Sequence, residues 1–170
     1  MATVTQWLDP IGARLFTTVN PPEMVQANGT NFPISGLAFD GAGASVEASY
    51  YEVPLPNYGV SNPSFTVLVD FYTPATTNAT VFQAAVSVTT PGDAQSLLTD
   101  AFATANAASA VSSIATANAH LRATITITNL DSATANDRLT LKLFRDPANG
   151  GDSNTSDAIV FGIWFQYPDT

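Results

Sequence analysis

Apolar and polar residues alternate with a period of two through much of this chain, the pattern of half-buried strands. In "SFTVLVDFYT", Phe65, Val67, Val69 and Phe71 share one face, and Thr66, Leu68, Asp70 and Tyr72 share the other. "HLRATITITN" sets Leu121, Ala123, Ile125 and Ile127 against Arg122, Thr124, Thr126 and Thr128. "RLTLKLF" sets Leu139, Leu141 and Leu143 against Arg138, Thr140 and Lys142. "GLAFD", "SVEASYYEVPL" and "TVFQAAVSVTT" add three more strands, and Gly, Pro and Asn turns such as "ANGTN", "TPATTN" and "TPGD" separate them. About seven or eight such strands in one domain predict an all-β, antiparallel sandwich or barrel.

The last strand, "AIVFGIWFQY", is apolar on both faces. Strict alternation groups Ile159, Phe161, Ile163 and Phe165 against Val160, Gly162 and Trp164. One face closes the core. The other is covered by the N-terminal segment around Trp7 and Leu8 or by another subunit, and subunit contact is the expectation. Residues 1–36 are expected to form an N-terminal arm or extended segment, and residues 37–170 the sandwich. "DAQSLLTDAFATANAASAVSSIATANA" could line a helical face with Leu98, Ala101, Phe102, Ala105 and Ala108. Its Thr, Ser and Asn content disfavours a helix interior, so a loop with one helical turn is predicted.

Composition narrows the partners. The 170 residues carry a net charge of −9, and Arg14, Arg122, Arg138, Lys142 and Arg145 are scattered along the chain. Phosphate binding needs clustered cations, so neither nucleic acid nor an anionic membrane surface is expected as a partner. Charged residues make up only 11 % of the chain, against about 25 % in an average globular protein, which fits a surface that packs against neighbours. Cysteine is absent, excluding disulfides and Cys-based zinc sites. The opening "MATVTQWLDP" lacks a basic n-region and an apolar h-region, so a secretory signal is not expected there.

Candidate chemistry is sparse. The sole histidine, His120, enters a strand with no nucleophile elbow in the chain, and reads as a surface or strand-end residue. Glu47 and Glu52 are an odd number apart on one strand and so face opposite sides. Asp70 is expected to be solvated or paired with a basic neighbour. No catalytic residue is predicted.

The loop before the last strand holds Arg145, Asp146, Asp152 and Asp157. Asp152, Asn154 and Ser156 imitate the opening of a calcium loop. Asp157 stands where that loop requires Gly, and Ile163 where it requires an acidic ligand. A structural loop without metal or other cofactor is therefore expected, with Arg145 either salt-bridged to the adjacent Asp146 or bonded through its planar fork to several loop carbonyls. Sequons at Asn28, Asn78 and Asn154 matter only in a glycosylating pathway.

Three stretches resemble one family, the jelly-roll virion structural proteins of tailed bacteriophages, including capsid cement or decoration proteins. The first is "LAFDGAGASVEASYYEVPLPNYG", through Phe39, Asp40, Glu47, Leu55, Pro56 and Tyr58. The second is "LDSATANDRLTLKLFRD", where Asn136 replaces the usual Gly, and the third is "GGDSNTSDAIVFGIWFQY". The resemblance implies a jelly-roll-like β-sandwich of about eight strands without a catalytic centre. It also implies a virion location on the capsid surface. On this reading the chain is a homo-oligomer, with a trimer favoured, that bridges subunits of the major capsid protein. Arg145, Asp146, Asp152 and Asp157 would then be structural, and Trp164 and Trp7 would serve interaction. A receptor- or carbohydrate-binding sandwich of a tail fibre or neck component is the alternative, with Trp7, Tyr50, Tyr51, Tyr58, Trp164 and Tyr167 available for stacking.

Overall fold

The computed structural model describes residues 2–16, 20–43, 45–59 and 64–170. Its strands are β1 (Thr3–Leu8), β2 (Glu23–Asn28), β3 (Pro33–Phe39), β4 (Glu47–Leu55), β5 (Phe65–Tyr72) and β6 (Ala79–Thr80). These are followed by β7 (Phe82–Thr89), β8 (Asn106–Ala107), β9 (Val111–Ser112), β10 (Leu121–Ile127), β11 (Asp137–Arg145) and β12 (Ala158–Pro168). All pairings between them are antiparallel.

Two sheets face each other across the core. The larger runs β10-β5-β12-β3-β2, with β1 also paired to β12, and the smaller runs β4-β11-β7-β8. The short pair β6-β9 lies outside both. The chain is therefore an all-β, jelly-roll-like sandwich in a single domain.

Alternation explains the core. Val67, Val69 and Phe71 of β5 and Ala123, Ile125 and Ile127 of β10 are withdrawn from solvent. They meet Leu139, Leu141 and Leu143 of β11 and Val53 and Leu55 of β4 from the opposite sheet. Phe82 packs edge-on against both Phe39 and Phe71, at centroid distances of 5.6 and 5.2 Å. At roughly 25 cal/mol per Å² of apolar surface removed from water, these inner faces supply the main stabilisation.

Strict alternation fails in β12. Its register against β5 shifts between Val160 and Gly162, a β-bulge centred on Phe161. The extra residue reverses the phase. Val160, Ile163, Phe165 and Tyr167 therefore join the core, whereas Ile159 and Phe161 pack with Tyr72 in a second apolar cluster on the outer face. The grouping of Ile159 and Phe161 with Ile163 and Phe165 is corrected accordingly.

Residues 1–36, expected as an arm or extended segment, supply β1, β2 and the start of β3, all hydrogen-bonded within the larger sheet. The Ala-rich segment is a loop with turns near Ser96–Asp100 and at 117–118 and the short strands β8 and β9. Leu98, a member of the alternative helical face, is 94 % exposed. Asn136 adopts φ 70°, a left-handed conformation that Asn tolerates better than most residues.

Candidate functional site

The outer face of the smaller sheet carries a groove of about 680 Å³. Its floor follows from period 2: Tyr51 and Val53 point inward, so Tyr50 and Glu52 point outward. On the neighbouring strand Leu139 and Leu141 point inward, leaving Arg138 and Thr140 on the outside. One wall is the segment Arg14–Phe16. Its backbone extends the sheet edge, with Arg14 N donating to Tyr50 O at 2.9 Å and Tyr50 N to Arg14 O at 3.1 Å. The other wall is the loop after β7. Ser87 Oγ donates to Asp100 Oδ2 at 2.8 Å, and Ala103 N donates to Val86 O at 2.8 Å.

These walls place aromatic rings around Tyr50. Phe102 lies 5.9 Å from its centroid and Phe16 lies 6.3 Å away. Glu52 is held between two guanidinium groups, pairing through one oxygen with Arg14 and through the other with Arg138. Partial burial pushes the Tyr50 phenol upward from its usual pKa, so it remains a neutral donor and acceptor near neutral pH. Planar rings beside fixed charged groups and hydroxyls suit a ligand that has an apolar ring face and a polar rim.

The closing loop forms a different kind of centre. Arg145 is wholly buried at the end of β11. Its Nε and Nη2 donate to Asp152 Oδ2 and Oδ1, both at 2.9 Å. Nη1 donates to the carbonyls of Phe39 at 3.0 Å and Ser156 at 2.8 Å, and Nη2 also reaches the carbonyl of Asn154. The Asp152 carboxylate, first of the three side chains that imitate a calcium loop, is thus bonded to a guanidinium, and Asn154 Oδ1 accepts from Ser156 N.

Gly41 is tightly enclosed by this cage: a Cβ there would come within 2.4 Å of the Asn154 and Ser156 carbonyl oxygens. Asn154 is buried and donates to Thr73 Oγ1 and Thr80 Oγ1, so its sequon is closed to modification in the folded chain. Asp146 stands apart and accepts from Ala148 N within its own turn. Asp157 also stands outside the guanidinium's bonds. Burial and the neighbouring Asp40 raise its pKa, and burial likewise raises that of Glu47.

Trp164 and Trp7 meet on the outer face of the larger sheet. They are directly opposed in the β1–β12 register and pack edge to face at 4.7 Å. Trp164 Nε1 donates to Asp70 Oδ2 at 3.1 Å. Asp70 also accepts two bonds from Arg122, at 2.6 and 2.9 Å, and lies 2.9 Å from His120 Nε2. Asp70 is therefore paired with a basic neighbour and buried, and His120 is exposed at its strand entry.

The sequence set Arg145 beside Asp146 or the loop carbonyls, whereas its carboxylate partner is Asp152, and it offered the segment around Trp7 as one cover for the last strand while favouring another subunit. It did not assemble the groove. Arg14 lies in the expected arm, and Phe102 lies in the segment with the ambiguous period. The readable signal was the outward phase of Tyr50, Glu52, Arg138 and Thr140.

No protein-family model matches the chain, and no curated protein matches it. Among solved structures, a family 35 carbohydrate-binding module from an environmental isolate is similar at a TM-score of 0.50 and 10 % identity. That match covers 97 % of this chain and 98 % of that one. The N-terminal part of endo-1,4-β-D-xylanase 10B from Clostridium thermocellum, its CBM22-1 and GH10 modules complexed with xylohexaose, also aligns at 0.50, with 13 % identity. Here the match spans 95 % of this chain and 27 % of the larger protein. At such identities the likeness is one of fold.

Proposed function

We propose that this sandwich is a non-catalytic carbohydrate-binding module whose ligand lies in the groove over β4 and β11. The observation that carries this reading is the grouping of Tyr50, Phe102 and Phe16 around one groove that also holds Arg14, Glu52 and Arg138. Aromatic faces take up the C–H face of a sugar ring, and the charged groups and hydroxyls bond its rim. The fold shared with the family 35 carbohydrate-binding module is consistent with it.

A glycan array followed by titration calorimetry tests the proposal. Tyr50→Ala should weaken binding about tenfold or more, as loss of a central aromatic contact does, while leaving the melting temperature close to the parent's. A folded protein that binds no glycan would overturn the reading.

A second reading keeps the virion role implied by the sequence resemblance, with a trimer bridging major capsid subunits. Large apolar side chains on the surface favour it: Leu98 is 94 % exposed, Leu97 72 % and Phe32 65 %. Exposed apolar surface marks association sites. Co-sedimentation with tail-free capsids, unaffected by Tyr50→Ala, would support this role over saccharide binding.

A further inference from the structure

We infer that the groove selects an acidic saccharide, one bearing a carboxylate or a sulfate ester; the inference rests on the carbohydrate-binding reading of that groove. The chain has a net charge of −9 and only five Lys and Arg residues, and these are unevenly placed. Arg122 and Arg145 are each held in two bonds by a carboxylate of their own, Asp70 and Asp152. The other three, Arg14, Arg138 and Lys142, gather on the outer face of the smaller sheet.

Arg14 and Arg138 share the single carboxylate of Glu52, each meeting it through one nitrogen. A guanidinium carries five N–H donors, so both forks keep donors for a ligand. Their side chains are 72 % and 52 % exposed and so open to solvent along the groove. Lys142 is directly opposite Tyr50 in the β4–β11 register, with its ammonium 4.7 Å from the Phe144 ring centroid. The other carboxylate of the groove, Asp100, already accepts the Ser87 hydroxyl. The groove itself thus holds two cations and two carboxylates, with Lys142 further along the same face, and the donors left over on Arg14 and Arg138 are what an anion would meet.

A neutral sugar would give these forks hydroxyl partners alone. A carboxylate or sulfate gives charge-assisted bonds about twice as strong, in the planar geometry that guanidinium matches. Tyr50 and Phe102 would take the ring face, and Arg14 and Arg138 would take the anion.

The test starts from an array of neutral, uronate-bearing and sulfated oligosaccharides. Calorimetry of the full chain then follows with the tightest member of each class. At least one acidic class should bind about tenfold more tightly than the neutral one, and added salt should erode only that advantage. The uronate and sulfated arms show which anion is read. Arg14→Gln and Arg138→Gln should each abolish most of the preference, lowering affinity for the acidic class by a larger factor than for the neutral one. Neutral binding as tight as acidic binding, or a preference that survives both substitutions, overturns the inference and leaves the carbohydrate reading standing. Absence of binding to every class overturns both.

Discussion

Arg145 and Asp152 are joined by two hydrogen bonds of 2.9 Å, with both side chains withdrawn almost completely from water. The same guanidinium bonds the carbonyls of Phe39, Asn154 and Ser156, tying the end of β3 and the closing loop to β11. Removing one partner of a buried pair leaves the other charge uncompensated, at a cost of about 3–5 kcal/mol. Arg145→Ala should lose that much in urea unfolding. Arg145→Lys should recover only part, because an ammonium cannot reach all five acceptor oxygens in the fork's plane. A loss below about 1 kcal/mol for Arg145→Ala would show that the cage does not anchor the loop.

Asp70 predicts a pH dependence. Burial by itself would raise its pKa, but the bonds from Arg122, His120 and Trp164 outweigh burial and hold it at about 2. Its folded pKa is thus lower than the unfolded value near 4. The associated stability is fully present above about pH 5 and is lost as pH falls toward 2. The shift corresponds to roughly 2 kcal/mol. Stability measured between pH 6 and 2.5 should fall more steeply for the parent than for Asp70→Asn. Parallel profiles would contradict the assignment.

The contrast between these two residues shows what the chain discloses on its own. Arg145 continues the inward series Leu139, Leu141, Leu143, so its burial and its need for oxygen partners follow from phase alone. Asp70 lies on the outward phase of β5, and its burial depends on Trp164, whose position is set by the bulge at Phe161. In "AIVFGIWFQY" only Gly162 hints at that bulge, and the apolar residues around it suit either face, so the phase stays open. β1 and β2 alternate mainly between exposed and half-buried positions, so their apolar signal is faint. The groove combines side chains from the N-terminal segment, β4, β11 and the loop after β7, a juxtaposition that only the closed sandwich creates.

Gly162 and Trp7 offer a separate check on the outer face of the larger sheet. A Cβ at Gly162 would lie 2.8 Å from Trp7 Cη2 and 3.3 Å from Asp70 Cβ. Trp7 is 48 % exposed, so the indole has room to move outward. Gly162→Ala should therefore cost about 1–3 kcal/mol from overpacking and alter tryptophan emission as the Trp7–Trp164 contact opens. An unchanged emission spectrum would mean that Trp7 does not rest on Gly162 in solution.

The wall formed by the loop after β7 makes the last prediction. The Ser87–Asp100 bond fastens this loop to the sheet beside the short β7–β8 pairing. Leu97 and Leu98, just before Asp100, are largely exposed and bury little apolar surface to hold the loop down. Ser87→Ala removes one hydrogen bond worth about 1 kcal/mol, which should raise the detached population of the loop roughly fivefold. Chymotryptic cleavage after Leu97, Leu98 or Phe102 should then accelerate by about the same factor, since cleavage tracks the open population when closing is fast. Saccharide affinity should also fall, because Phe102 leaves its place beside Tyr50, while global unfolding shifts by no more than about 1 kcal/mol. Unchanged cleavage together with unchanged affinity would show that the loop is fixed by its backbone bond from Ala103 to Val86 and that Asp100 is dispensable for shaping the groove.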